Sequence, residues 1–74
     1  MPADRPRERP SVRVERELRA RLAAGEWQSG ERLPPVAELA ANYSVARSTV
    51  INALRRLEAD GLVEVVANWG TFRT

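Results

Sequence analysis

The spacing of apolar residues between positions 46 and 60 constrains this fold more than any other feature of the sequence. The apolar residues follow the i, i+3, i+4, i+7 pattern of one helix face, and at about 100° per residue they span an arc of about 100°. They are Val50, Ala53, Leu54 and Leu57. Gly61 follows as a stop signal. The pattern predicts a helix from about Ala46 to Asp60 with one side against a core.

The opposite face of this helix carries short polar side chains and arginines. Its members, with the flanking and first-turn residues, are Arg47, Ser48, Thr49, Ile51, Asn52, Arg55 and Arg56. Asn can pair with adenine, Arg with guanine or phosphate, and Ser and Thr with phosphate or bases. No acid occurs there before Glu58. Short polar residues also open many ordinary helices, so this helix alone leaves both a solvated face and a nucleic-acid surface open.

The segments before this helix predict a polar arm and a first helix. Residues 1–10 contain three prolines and three arginines, which predicts a flexible arm, either a solubilising tail or a phosphate contact. A domain is expected over residues 11–74. Ser11 is expected to cap a helix that ends before Gly25 and stacks Val14, Leu18 and Leu22 on one face. Its Glu15–Arg19 and Glu17–Arg21 spacings predict two ion pairs.

The remaining segments complete a mainly α fold with a small β component. A short strand is expected around Arg32 and Leu33, and a second, short helix over 35–43. After the third helix, β-branched residues from Val63 to Val66, a turn at Asn68 and Gly70, and a returning strand predict a hairpin. Two helices joined by a few residues and followed by a hairpin form a winged helix-turn-helix.

The predicted core combines the apolar positions of all these elements. It consists of Val14, Leu18, Leu22, Trp27, Leu33, Leu39, Val45, Val50, Leu54, Leu57, Leu62, Val65 and Phe72.

Size and composition limit the function. A chain of 74 residues is expected to form one domain, without an enclosed substrate cavity. The sequence contains no Cys and no His, which removes the commonest metal ligands and catalytic bases, so neither an enzyme, a metal site nor a cofactor is expected. No membrane span or signal peptide is recognisable, so a cytoplasmic location is expected. All 12 basic residues are Arg, which permits nucleic-acid binding and is also typical of a GC-rich genome.

Five motifs in order resemble the N-terminal domain of the GntR family of bacterial transcriptional regulators. They are GEWQSGERLP at 25–34, ELA at 38–40, VARSTV at 45–50, ALRRLEADGL at 53–62 and WGTF at 69–72. Each is common, but their order and spacing are specific, and together they run from about Val14 to Phe72. The resemblance implies a winged helix-turn-helix with the third helix in the major groove, the wing near the minor groove and operators bound as dimers.

The resemblance also assigns roles to individual residues. Arg47 matches the family's base-contacting arginine, and Ser48 and Thr49 match its phosphate-binding hydroxyl residues. Gly70 and Thr71 match the glycine-threonine pair of the wing.

The chain departs from the family pattern at several of these positions. Ala46 stands where the family has a serine cap, Ile51 where it often has a second arginine, and Pro35 and Ala37 where it has a serine and an arginine. Ile51 is expected to suit a thymine methyl, so the preferred operator should differ from the family's common one. Asn68 replaces a frequent glycine and tolerates a left-handed backbone.

The resulting expectation is a sequence-specific DNA-binding regulator, a repressor that occupies promoter DNA and is associated with the nucleoid when bound. The expected DNA-binding residues are Arg47, Ser48, Thr49, Ile51, Asn52, Arg55, Asn68, Gly70 and Thr71. Family members carry a further C-terminal domain, so the chain is either an excised domain or a stand-alone regulator that needs weak dimerisation or cooperative binding. The alternative is a winged helix used as a protein-interaction module, with Trp69 and Ile51 as anchors.

Overall fold

The structure is a computed structural model that describes residues 9–74 as three helices followed by an antiparallel hairpin. The elements are α1 (Pro10–Ala23), α2 (Val36–Tyr43), α3 (Arg47–Ala59), β1 (Val63–Val66) and β2 (Gly70–Arg73). Most of the predicted arm, residues 1–8, lies outside the described residues. None of the helices within residues 9–74 combines the length and hydropathy that crossing a bilayer requires.

The N-cap residue of the first helix lies two residues earlier than the sequence suggested. Arg9 is its N-cap residue and Pro10 occupies the first turn, so the prediction that Ser11 caps the helix is wrong. Proline suits this position because its fixed φ is helical and its missing N–H would have no partner there. After Ala23 the chain reverses through Gly25, whose φ of 81° lies in the left-handed region. Val14, Leu18 and Leu22 are buried, as predicted.

The second and third helices are joined by residues 44–46. Ser44 ends α2 with a left-handed φ of 56°, and its N–H donates to the carbonyls of Ala40 and Ala41. Ala46 is the N-cap residue of α3 and makes no side-chain cap hydrogen bond, as expected from the missing hydroxyl. The short turn therefore fixes α3 directly against α2.

The hairpin is extended at its base by a third segment. In β1 and β2, Val63 pairs with Arg73 and Val66 with Gly70. An isolated bridge joins Arg32 to Phe72, and the Leu33 N–H donates to the Thr71 carbonyl at 2.8 Å. The strand expected around Arg32 and Leu33 is thus a single bridge that fastens the loop after α1 to the hairpin.

The core lies between α1, α2, α3 and the base of the hairpin. Most predicted core residues are buried; Val45, Leu62 and Phe72 are half-buried. The prediction for Val65 is wrong, because its side chain is 45% exposed while Val63 is buried. Both residues belong to the same face of the strand, but only Val63 packs into the core cluster. The buried apolar residues are Val14, Leu18, Leu22, Trp27, Leu33, Leu39, Ala40, Val50, Ala53, Leu54, Leu57 and Val63.

Polar contacts around Arg21 fasten the loop that follows α1. Arg21 donates to both carboxylate oxygens of Glu26 and, at 2.9 Å, to the hydroxyl of Tyr43. Its guanidinium lies 4.6 Å from the ring centroid of Trp27. The hydrogen bonds to Glu26 and Tyr43 raise the pKa of Arg21, although partial burial opposes them. The predicted Glu17–Arg21 pair gives way to these contacts, and Glu17 lies 3.8 Å from Arg13 instead.

Candidate nucleic-acid interface

The two sides of α3 are sharply different in exposure. Val50, Ala53, Leu54 and Leu57 are buried, which confirms the register predicted from their spacing. On the other side, the polar and flanking residues are open to solvent, with Ile51 39% exposed and Thr49 half-buried. The predicted site residues that are exposed on this side are Arg47, Ser48, Ile51, Asn52 and Arg55. The structure thus brings the predicted α3 site residues together on one surface, which we call the α3 face.

The arginines divide into a paired and an unpaired group. On the α1 side of the molecule, carboxylates neutralise several guanidinium groups: Arg13 with Glu17, Arg19 with Glu15 and Asp60, Arg21 with Glu26, and Arg56 with Glu15. Within residues 9–74, Arg47 and Arg55 on the α3 face have neither an ion pair nor a side-chain hydrogen bond. The α3 face therefore presents uncompensated positive charge, which suits a polyanion.

The acids near the end of α3 are also engaged. Asp60 accepts a hydrogen bond from Arg19 at 2.6 Å. Glu58 accepts one from the backbone N–H of Val65 at 3.0 Å. Since Val65 lies in β1, the second bond joins α3 to the hairpin. Glu58 is therefore a link that fixes the hairpin relative to the α3 face.

The hairpin projects beside the α3 face, and its tip holds the remaining predicted residues. Asn68 adopts a left-handed φ of 66°, as its residue type permits. The N–H of Trp69 closes the turn on the Val66 carbonyl at 3.0 Å, and its side chain is 70% exposed. Thr71 pairs with Val65 in the hairpin and is only 6% exposed, where it lines the groove beside α3, so its side chain offers little surface to a ligand.

An apolar groove separates the α3 face from the hairpin. Its volume is about 340 Å³. The side chains that line it include Val36, Ile51, Leu54, Arg55, Glu58 and Val65. Val65 is exposed because its side chain forms part of the wall of this groove.

One candidate residue was missed by sequence reasoning. Arg32 is exposed, and its guanidinium lies against the backbone of Gly70, where the N-terminal end of β2 begins. Nothing in its local pattern marks it, because it falls in the loop segment before α2. Only the bridge between Arg32 and Phe72 places it beside the hairpin tip.

The structure consists of three helices followed by a hairpin, and α2 and α3 form a helix-turn-helix. It is therefore a winged helix-turn-helix domain, and we call the hairpin the wing. The family described as "Bacterial regulatory proteins, gntR family" matches residues 10–72, nearly all of the chain. The chain belongs to this family, as the five motifs indicated. The family is one of bacterial regulatory proteins.

Individual relatives agree with this assignment. An uncharacterized HTH-type transcriptional regulator of Bacillus subtilis, YdfD, is 43% identical over 54 residues, which cover 73% of this chain and 11% of the relative. The histidine utilization repressor of Klebsiella aerogenes is 33% identical over 73 residues, 95% of this chain and 30% of the relative. The chain therefore spans less than a third of either curated relative.

Among solved structures, the DNA-binding domain of AraR in complex with operator ORE1 has the same fold. It superposes with a TM-score of 0.88 at 25% identity, over 92% of this chain and 83% of that one.

Proposed function

We propose that this chain is the sequence-specific DNA-binding domain of a transcriptional regulator that represses by occupying promoter DNA. In this proposal α3 enters the major groove, and the tip of the wing lies at the adjacent minor groove. The regulator acts in the cytoplasm, and at the nucleoid when bound. The DNA-binding domain begins with α1, whose first residue is Pro10, one residue before the boundary expected at Ser11.

The observation that carries the proposal is the unpaired state of Arg47 and Arg55 on the exposed side of α3. On the same helix, Arg56 lies 3.6 Å from the carboxylate of Glu15. The arginine that faces α1 is thus paired, whereas Arg47 and Arg55 on the exposed side are not. An arginine without a protein partner keeps its planar fork free for a guanine edge or a phosphate. The family and the operator-bound relative support DNA as that ligand.

The α3 residues divide into three proposed roles. Arg47, at the first turn, reads a base edge; Ser48 and Thr49 donate to phosphates beside it. Asn52 and Arg55, further along the exposed side, read further bases, and Ile51 contacts a thymine methyl. Because Ile51 cannot hydrogen-bond, it favours an operator with A·T pairs at that position.

The wing residues contribute in a different way. Asn68 and the backbone of Gly70 approach the minor groove from the turn. Thr71 is too buried for a strong side-chain contact, so it acts by holding the wing against Leu33, whose N–H donates to the Thr71 carbonyl. The wing thus adds surface at the minor groove, where A·T and G·C pairs differ only in the guanine amino group.

A single domain of this size makes few phosphate contacts, so its affinity for DNA falls steeply as salt rises. Weak dimerisation or cooperative binding at repeated sites is therefore part of the proposal. The named relatives include a repressor and an operator complex, which support repression over activation.

The test begins by selecting bound duplexes from a random pool and then measures affinity at fixed salt. Arg47→Ala is expected to weaken binding to the selected duplex by about 1 to 3 kcal/mol and to relax specificity at one base pair. Arg56→Ala removes the same charge from the paired side of the same helix and serves as the matched control. Equal effects of the two variants would contradict the assignment of Arg47.

A protein-interaction module is the second candidate, and the exposure of Trp69 and Ile51 favours it. Amide NMR shifts on addition of the duplex separate the two candidates. The DNA proposal expects shifts along α3 and the wing. Shifts in neither element would contradict it and leave the interaction module as the better explanation.

A further inference from the structure

Arg32 reaches the tip of the wing although it lies outside the hairpin. Its backbone bridges to Phe72, and Gly70 lies two residues nearer the tip on the same face of the sheet. A Cβ built on Gly70 would lie 2.6 Å from Nε of Arg32 and 3.2 Å from its Cζ and Nη2. The guanidinium therefore occupies the space that a side chain at position 70 would take, and the φ of 124° at Gly70 also favours glycine there.

The charge of Arg32 is not neutralised by the protein. Within residues 9–74, it has no ion pair and no side-chain hydrogen bond. The neighbouring carboxylate of Glu31 accepts a hydrogen bond from the Gln28 N–H at 2.7 Å and forms no ion pair with Arg32. Arg32 thus shares the unpaired state of Arg47 and Arg55 but lies on the wing.

Trp69 directly precedes Gly70 in the chain, and most of its side chain is open to solvent. Its backbone is fixed by the hydrogen bond to Val66, whereas its side chain is 70% exposed. An indole combines a large apolar surface with one N–H donor, which suits it to an interface that is apolar at one end and polar at the other. The turn thus presents an exposed indole at the end of the hairpin.

We propose that Arg32 and Trp69 together form a second DNA-contacting element, with Trp69 in the minor groove and Arg32 on a phosphate that borders it. This inference rests on the proposed DNA-binding function and extends it to two residues outside the α3 face. The minor groove accepts apolar side chains, and arginine forms two parallel hydrogen bonds to a phosphate. Gly70 allows both, because its missing side chain leaves room for the guanidinium beside the tip.

The test uses the whole chain, the duplex selected from the random pool and an unrelated duplex, over a series of salt concentrations. Arg32→Ala is expected to weaken binding to both duplexes alike and to lower the salt slope by about 0.9, the value for one phosphate. Arg32→Gln keeps most of the side-chain stem and should lower the slope equally if charge is the cause. Arg19→Ala, which removes a charge that is paired with Asp60 and Glu15, is the control and should leave the slope unchanged.

Fluorescence quenching by acrylamide tests Trp69 separately. Trp27 is only 6% exposed, so the quenchable emission comes from Trp69. Bound duplex is expected to shield Trp69 and reduce quenching severalfold. Trp69→Phe should remove the DNA-dependent change, lower affinity and leave the salt slope unaltered.

The two proposals fail in different ways. If Arg47→Ala weakens binding while Arg32→Gln keeps the full salt slope, or Trp69 stays as quenchable in the complex as in the free protein, the wing element is overturned and the DNA-binding function stands. If no duplex is selected and Arg47→Ala has no effect, the function itself is overturned.

Discussion

Leu57→Ala tests whether the core lies where the structure puts it. Leu57 is fully buried on α3. The substitution removes three buried carbons, which corresponds to about 2.4 kcal/mol of transfer free energy, and the cavity left behind raises the loss to about 3 to 5 kcal/mol. A domain of this length has an unfolding free energy on the order of 4 to 10 kcal/mol. The variant should therefore lose at least about 12 °C in melting temperature.

Val65→Ala is the matched control, because sequence periodicity assigned both residues to the core. Val65 is 45% exposed on the groove wall, so its truncation should cost about 1 kcal/mol or less. Urea unfolding of the two variants, followed by far-UV circular dichroism, measures both losses against the unmodified chain. If Leu57→Ala melted within about 5 °C of that chain, or if Val65→Ala cost as much as Leu57→Ala, the placement of the core would be refuted.

Three further substitutions test the α3 termini and the loop after α1. Glu58→Ala removes the acceptor of the Val65 N–H and should speed hydrogen exchange of that amide, whereas Glu58→Gln, which keeps an oxygen, should retain most of the protection. Ala46→Ser supplies the missing cap hydroxyl at an extended backbone position and should raise the unfolding free energy by about 1 kcal/mol in urea titrations. Hydrogen bonds from Arg21 lower the pKa of Glu26 below its ordinary value of 4.5, so the pair stabilises the fold above that pH and is lost as the pH falls through the lowered pKa. Glu26→Gln should therefore flatten the acid limb of urea midpoints measured against pH, and an unchanged limb would exclude the pair as its cause.

Local patterns in the sequence predicted the elements but not how far the core extends over them. The spacing of Val50 to Leu57 fixed the buried side of α3, because helical periodicity is a property of a single segment. In β1, the sequence pattern predicted a strand but assigned Val65, and not the buried Val63, to the core. It could not tell that a groove lies between α3 and Val65, since that depends on how two segments lie in three dimensions.

Contacts between segments that are distant in sequence could not be predicted from local patterns either. The i, i+4 spacing predicted a Glu17–Arg21 pair, yet Arg21 bonds Glu26 and Tyr43, which the fold brings to it. Arg32 had no local signal, because only its bridge to Phe72 places it at the wing. The α3 residues of the candidate site share one helix and could be grouped from the sequence, whereas the wing element depends on tertiary structure.

The division of the arginines has a consequence for how the molecule meets its ligand. The net charge is only +2, so a uniform distribution would attract a polyanion weakly from any direction. Within residues 9–74, ion pairs cancel charge on the α1 side, whereas Arg47, Arg55 and Arg32 have no ion pair and lie on the α3 face and the wing. We expect the field of a duplex to attract that side of the molecule first. Association should consequently be faster than the net charge suggests, and added salt should slow it by removing that orientation.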